Sequence, residues 1–561
     1  MDPRRTIRRG LALVTIAGLA GALLAAPAAG DDGGGTPPPG PDWAQCPADV
    51  VTTVPLECAT VPVPLDHADP DGEQIEIMIS RLASTDPEER RGVLLLNPGG
   101  PGGSGLTQPA DLQGLGIPSS VLDAYDLIGM DPRGVGHSSP VSCGFTAEQN
   151  YPGNIPPSAA DDAAVTEQAE FVEGIAAQCA AHDTDGLMRH MSTDNTARDM
   201  DRIREALGED KLSFYGASYG SALGGAYASL FPEQSDRIVI DSNLGAAALD
   251  RDSHRRFGPG LETRFPDFAR WAAERHESYG LGRTPAAVRA NYLELAERLD
   301  REPVDGFAGS NFRFLMFVML YKDARFGAAG QLWQSLADGD GAAVREQTEE
   351  LEESVPGLAA VTAGTGVVAG TGVAAGTGAA GRGAAQEPTT ETPSPFDNAW
   401  SAYLAVTCND TEWPEDVETY RRDVAADREQ YPLFGGAGAN ITPCAFWHHD
   451  RVEPPLALNP EGPDNVLVVQ NLRDPATPHA GGEIARAEFG DRARLVSVDA
   501  GNHGVYVYDD NPCALNTTTK FLLDGKLPKS DVFCAASTTS GLALDRTAER
   551  ERAETLARLG L

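Results

Sequence analysis

The chain has 561 residues, 41% of them hydrophobic. That is enough for one large domain or several modest ones with real cores, and it excludes a peptide hormone, a coiled coil or a wholly disordered chain. The formal net charge of −38 makes a surface that repels phosphate backbones, so nucleic acid is not an expected partner.

The chain opens with Arg4, Arg5, Arg8 and Arg9, then an uncharged, mostly apolar stretch over 11–29 that contains the small-x-small pattern Ala26-Pro27-Ala28. Residues 1–30 therefore read as an export signal and 31–42 as a Gly/Pro-rich linker. Arg8-Arg9-Gly10-Leu11 also suits twin-arginine export. The alternative is a retained anchor, since the stretch is nearly long enough to span a bilayer. With the signal removed, no stable membrane association is expected, and the protein would work outside the cell, free or at the cell wall.

Eight cysteines, Cys46, Cys58, Cys143, Cys179, Cys408, Cys444, Cys513 and Cys534, suit disulfides in an exported chain. None forms a C-x-x-C pair, so no zinc site is expected from them. Eight cysteines allow 105 connectivities. Pairing of neighbours (Cys46–Cys58, Cys143–Cys179, Cys408–Cys444, Cys513–Cys534) is the simplest, because each pair closes a local loop; one or two free, buried thiols are the alternative.

Beyond the linker, Val61–Leu65 and Gln74–Arg81 carry strand patterns. A βα rhythm follows: strands at Val93–Asn97, Tyr125–Asp131, Leu212–Tyr215 and Arg237–Asp241, with helices at Asp194–Leu207 and Ser221–Phe231. Such alternation predicts an α/β fold with a mostly parallel central sheet covered on both faces. The expected division is a first core segment at 43–245, a large helical insertion at 246–400, a second core segment at 401–540 and a C-terminal helix at 541–561. Within the insertion, residues 357–396 repeat Ala-Gly-Thr-Gly, a composition that buries too little apolar area to offset its chain entropy, and read as a loop. Helix resumes around Trp400–Val406, and strands return at Asn465–Gln470 and Arg494–Val498.

The strongest chemical signal is Gly216-Ala217-Ser218-Tyr219-Gly220, between a predicted strand and a predicted helix. In that context G-x-S-x-G reads as a nucleophile elbow, a tight turn that lifts a serine hydroxyl out at the carboxyl end of a sheet. A serine alcohol needs a base, and the base an orienting carboxylate. The elbow architecture takes them in the order Ser, Asp, His. Asp474 follows the strand at 465–470 and His503 the strand at 494–498, both in loops at carboxyl ends. An oxyanion needs two backbone N–H donors. Tyr219 offers one, and the loop Asn97-Pro98-Gly99-Gly100-Pro101-Gly102-Gly103-Ser104-Gly105 is the source of the other.

These motifs, together with Asp131-Pro132-Arg133-Gly134-Val135-Gly136-His137-Ser138 and Arg473–Pro478, resemble the secreted bacterial tripeptidyl aminopeptidases, relatives of prolyl aminopeptidases in the α/β-hydrolase superfamily. The resemblance covers most of 43–245 and 400–535. It implies an α/β-hydrolase fold with a helical lid, Ser218 as nucleophile, Asp474 as orienting acid, His503 as base, and Gly100 and Tyr219 as oxyanion donors. It implies peptide substrates with a free N-terminus, release of short fragments, no requirement for a metal or organic cofactor, and disulfides at Cys143–Cys179 and Cys513–Cys534. Pro98 stands where prolyl aminopeptidases carry a histidine, which argues against a strictly proline-releasing enzyme. Close relatives include carboxylesterases, so an esterase or lipase with the same triad is the alternative. On the first reading Glu262, Asp267, Glu274 and Glu277 are the lid carboxylates available to an α-ammonium; on the second Phe265, Phe268 and Trp271 would line an acyl pocket. The Asp131–Ser138 motif is expected to fix a loop beside the site.

Overall fold

The computed structural model describes residues 40–354 and 392–558, apart from positions 147, 148, 150, 152, 154, 510 and 538–545. The expected export signal, residues 31–39 of the linker and most of the low-complexity loop lie outside the described residues.

Among the described residues ten strands form one sheet: β1 Ala44–Gln45, β2 Glu57–Pro64, β3 Gln74–Leu82, β4 Gly92–Asn97, β5 Tyr125–Met130, β6 Leu212–Ala217, β7 Ser235–Asp241, β8 Val466–Asn471, β9 Ala493–Val498 and β10 Val532–Cys534. Their spatial order is β1-β2-β3-β5-β4-β6-β7-β8-β9-β10. The first four positions pair antiparallel, and every pairing from β5 onward is parallel. The central strands are buried along their whole length, as a sheet covered on both faces requires. Because side chains alternate, β4 sends Val93 and Leu95 to one core and Leu94 and Leu96 to the other. Helices Thr193–Ala206 and Tyr219–Leu230 cover the first face, and Gln108–Gly114 and Pro512–Asp524 the second.

The insertion between β7 and β8 is helical and has a core of its own. Phe265, Phe268, Tyr292, Phe312 and Trp333 pack there with ring centroids 4.9–5.9 Å apart. Phe265 and Phe268 are 1% and 0% exposed, so they fill this core and leave no surface to line an acyl pocket. Helix Pro395–Asp410 differs from expectation in two ways. It starts inside the stretch read as a loop, because Ser394 caps it, accepting from the Asp397 N–H, and Pro395 preorganises its first turn. It also crosses the expected boundary at 400, packing Ala402, Leu404, Ala405 and Val406 into the sheet core.

Disulfides join Cys46–Cys58, Cys143–Cys179, Cys408–Cys444 and Cys513–Cys534. Helix Arg546–Arg558 docks on the second face, where Arg552 donates to the carbonyls of Leu115 and Val507. No helix among the described residues is long and apolar enough to cross a membrane.

Trp333→Ala should destabilise the insertion by about 3–5 kcal/mol. Hydrogen exchange should quicken in helices Pro285–Arg301 and Phe326–Asp338 while the amides of β4 and β6 keep their protection. Equal loss of protection in the strands would mean that insertion and sheet open as one unit.

Candidate active site

β6 ends at Ala217, and Ser218 takes φ 58° and ψ −124° before helix Tyr219–Leu230 begins. A non-glycine residue there is strained, and the surrounding packing must hold it. The packing leaves no room beside it. A Cβ on Gly216 would lie 2.4 Å from the Gly220 carbonyl oxygen, and one on Gly220 would lie 2.8 Å from that of Asn97. The Ser218 N–H donates to the Asp241 carbonyl at 3.0 Å.

The glycine-rich loop after β4 lies against this elbow. Gly99 and Gly100 have φ of +107° and +115°. A Cβ on Gly99 would come within 2.7 Å of the Ala217 oxygen and 3.3 Å of the Tyr219 nitrogen. Gly99 thus makes the close approach, and Gly100 follows it along the loop. Asp131 holds the loop from behind, accepting from Ser104 Oγ at 2.5 Å and from the Gly105 and His137 N–H groups. Arg133 is buried and paired with Asp199 at 2.6 Å. Asp131 thus fixes the glycine-rich loop, while Arg133 also donates to the Pro64, Leu65 and His190 carbonyls.

Asp474 and His503 meet. His503 Nδ1 lies 2.8 Å from Asp474 Oδ2 and 3.1 Å from Oδ1. Asp474 is fully buried and also accepts from the Ala476 and Thr477 N–H groups and from Thr477 Oγ1. Burial pushes its carboxyl up, but the His503 charge and the hydrogen bonds from His503 and Thr477 outweigh that and hold it below the usual carboxylate range. A carboxylate at Nδ1 fixes the ring proton there and leaves Nε2 as an acceptor.

Several residues that position His503 carry no motif. Asp241, at the end of β7, accepts from the Val505 and Tyr506 N–H groups and from Tyr215 OH. It satisfies the order Ser, Asp, His as well as Asp474 does, and only the geometry separates them: Asp241 binds the backbone of the histidine loop, Asp474 the imidazole. The insertion grips the same loop. The His503 N–H donates to the Tyr321 carbonyl at 2.9 Å, Lys322 Nζ donates to the His503 carbonyl at 2.6 Å, and the Tyr321 ring lies 5.2 Å from the imidazole. Lys322 is 4% exposed, and burial lowers its ammonium to about 8 against the opposing pull of Asp509, Asp474 and Asp241. Below the elbow, Tyr219 OH bonds Thr193 Oγ1, and Thr193 donates both its hydroxyl and its N–H to Asp410. Burial pushes Asp410 up to about 7.

The four lid carboxylates are already engaged. Glu262 pairs with Arg289, Asp267 with Arg264 and Arg473, Glu274 with Arg275 and Glu277 with Arg283. Asp267 and Glu274, with Trp271, line an open cleft of about 730 Å³ that reaches Gly501 and Asn502.

Comparisons with known proteins agree with this architecture. Residues 92–311 match a family model described as alpha/beta hydrolase fold, and residues 431–534 one described as TAP-like protein. The chain is 33% identical over 516 residues to a tripeptidyl aminopeptidase of Streptomyces lividans, covering 89% of this chain and 87% of that one. It is 28% identical to the serine protease Hip1 of Mycobacterium tuberculosis, over 85% of this chain and 87% of that one. It is 30% identical to carboxylesterase B of the same species, over 89% and 90%.

Two predictions test the groups around the elbow. Lys322→Met keeps the apolar stem and removes the donor to His503; it should slow labelling of Ser218 by a fluorophosphonate about tenfold or more. An unchanged rate would make the contact incidental. Asp410 carries a raised pKa, so its contribution to stability is full below about 4, the range of an unfolded carboxyl, and is lost as pH rises through about 7. Asp410→Asn should shrink the fall in Tm between pH 5 and pH 8, and an equal fall in both proteins would count against the assignment.

Proposed function

The chain belongs to the bacterial tripeptidyl aminopeptidase family and is a serine hydrolase of the α/β-hydrolase type, and on that premise we propose that it is an exported exopeptidase releasing short fragments, tripeptides foremost, from free N-termini. The observation that carries the reading is likeness to a tripeptidyl aminopeptidase along nearly the whole chain, with the Asp474–His503 pair intact. Four disulfides support an oxidising compartment.

In the proposed mechanism His503 Nε2 takes the Ser218 proton as Oγ attacks the substrate carbonyl. Asp474 stays ionised and steadies the imidazolium. The N–H groups of Gly100 and Tyr219 hold the oxyanion, with the positive end of helix Tyr219–Leu230 aimed at the same point. Collapse releases the shortened peptide, with His503 returning the proton to the leaving amine. Water, activated by the same histidine, then frees the acylated fragment. The inserted helices act as the lid that selects chains with a free end. Likeness to a carboxylesterase favours a second reading, in which the same residues cleave esters.

A tripeptide p-nitroanilide with a free N-terminus should be cleaved about a hundredfold faster in kcat/KM than its N-acetylated form, the discrimination expected of a charge-assisted contact to the ammonium. Ser218→Ala should remove about 10⁴-fold or more of kcat. Equal rates for both substrates, or turnover of simple p-nitrophenyl esters alone, would select the esterase.

A further inference from the structure

Away from the elbow, three metal-ligating side chains converge. Asp183 caps the C-terminus of helix Asp162–His182, and His448 and His449 follow the short turn Pro443–Phe446. One donor atom from each lies within 4.8 Å of the other two. His449 Nε2 is 2.6 Å from Asp183 Oδ2, and His448 Nε2 is 3.7 Å from the same oxygen. Consecutive side chains in extended backbone face opposite ways. A bend at 448–449 turns both imidazoles towards one carboxylate, with ring centroids 3.9 Å apart.

An Asp183–His449 hydrogen bond accounts for one histidine. His448 packs on the Trp447 ring at 4.7 Å and also faces Asp183, so two imidazoles converge on one carboxylate. Two neutral imidazoles and a carboxylate are a common donor set for a borderline divalent metal. We propose that Asp183, His448 and His449 form a binding site for a transition-metal dication, Zn²⁺ foremost, with water completing the coordination. Tetrahedral bonds of about 2.0–2.1 Å place donor atoms about 3.3–3.4 Å apart. The 2.6 Å separation must open and the 3.7 Å separation close, each by less than about 1 Å, a change within reach of side-chain torsions. Ca²⁺ and Mg²⁺, which prefer oxygen ligands, are poorly served by two nitrogens.

The surroundings preorganise the set. Asp183 is nearly buried, with 3% of its side chain exposed, while the imidazoles are 20% and 18% exposed and open to solvent. The other Asp183 oxygen accepts from the Met188 N–H at 3.3 Å, which orients the carboxylate. Trp447 Nε1 donates to Asn409 Oδ1 at 2.9 Å and fixes the backbone entering the histidines. Disulfides pin both contributing segments, at Cys179 shortly before Asp183 and at Cys444 shortly before His448. The ion would tie together residues 266 positions apart in sequence. Its role is structural, since none of the three belongs to the Ser218, Asp474 and His503 arrangement.

The test is titration of the full chain, freed of metal with a chelator, with ZnCl₂ by calorimetry, and with CoCl₂ by visible absorption. We expect one Zn²⁺ per chain with Kd of about 10 μM or tighter, a raised Tm, and the intense visible bands of a four-coordinate Co²⁺ complex. His448→Ala, at an exposed position, should weaken Kd at least about a hundredfold while fluorophosphonate labelling of Ser218 shows the fold intact. Asp183→Asn serves as a second variant, and CaCl₂ should give no saturable heat. Absence of saturable Zn²⁺ binding, or binding undiminished in His448→Ala, would overturn the site.

Discussion

A carboxylate removed from water must find its hydrogen-bond donors inside the protein, and this site is arranged around four carboxylates under that constraint. Asp131, Asp241, Asp410 and Asp474 are all buried. Asp131 takes donors from the glycine-rich loop, Asp241 from the histidine loop, Asp410 from the start of helix Thr193–Ala206, and Asp474 from His503 and its own turn. Three of the four stand at or just beyond the ends of β5, β7 and β8. Each meets its hydrogen-bonding need by fixing a neighbouring segment, so burial of these carboxyl groups and precision of the site have one cause.

The insertion is part of that construction. Its Tyr321 and Lys322 hold both polar groups of the His503 backbone, and the Asp323 N–H reaches Asn502 Oδ1. Arg264 binds the Leu320 carbonyl and Asp267, while Asp267 binds Arg473 beside Asp474. Displacement of the insertion would therefore move the histidine loop with it. Substrate entry is easier to reconcile with movement of more distant helices than with hinging at 320–323.

Much of this was legible in the sequence because the relevant residues are local. The elbow, the glycine loop and the strand ends carrying Asp474 and His503 are short motifs whose glycines and apolar runs declare the backbone they need. β6 runs to Ala217, two residues past the expected end at Tyr215, since Gly216 and Ala217 lack the bulk by which strands are recognised yet still pair with β7. β10, three residues long, is too short to show alternation. The grip of Tyr321 and Lys322 was illegible for another reason: it joins positions 181 residues apart or more through backbone carbonyls, and a carbonyl leaves no trace in side-chain identity. Asp241 carried no such signal: it ends β7 and binds the backbone N–H groups of Val505 and Tyr506, a role visible only in three-dimensional contact.

The disulfides carry a further consequence for how the protein is made. Each joins cysteines that are neighbours in the sequence, separated by 12, 36, 36 and 21 residues. A chain that emerges into an oxidising compartment N-terminus first meets its cysteines one at a time. If each pair closes when its second member arrives, no earlier thiol is left over to compete. Of the 105 possible connectivities, the native one is then the one vectorial delivery favours, and oxidation can finish without an isomerase reshuffling bonds.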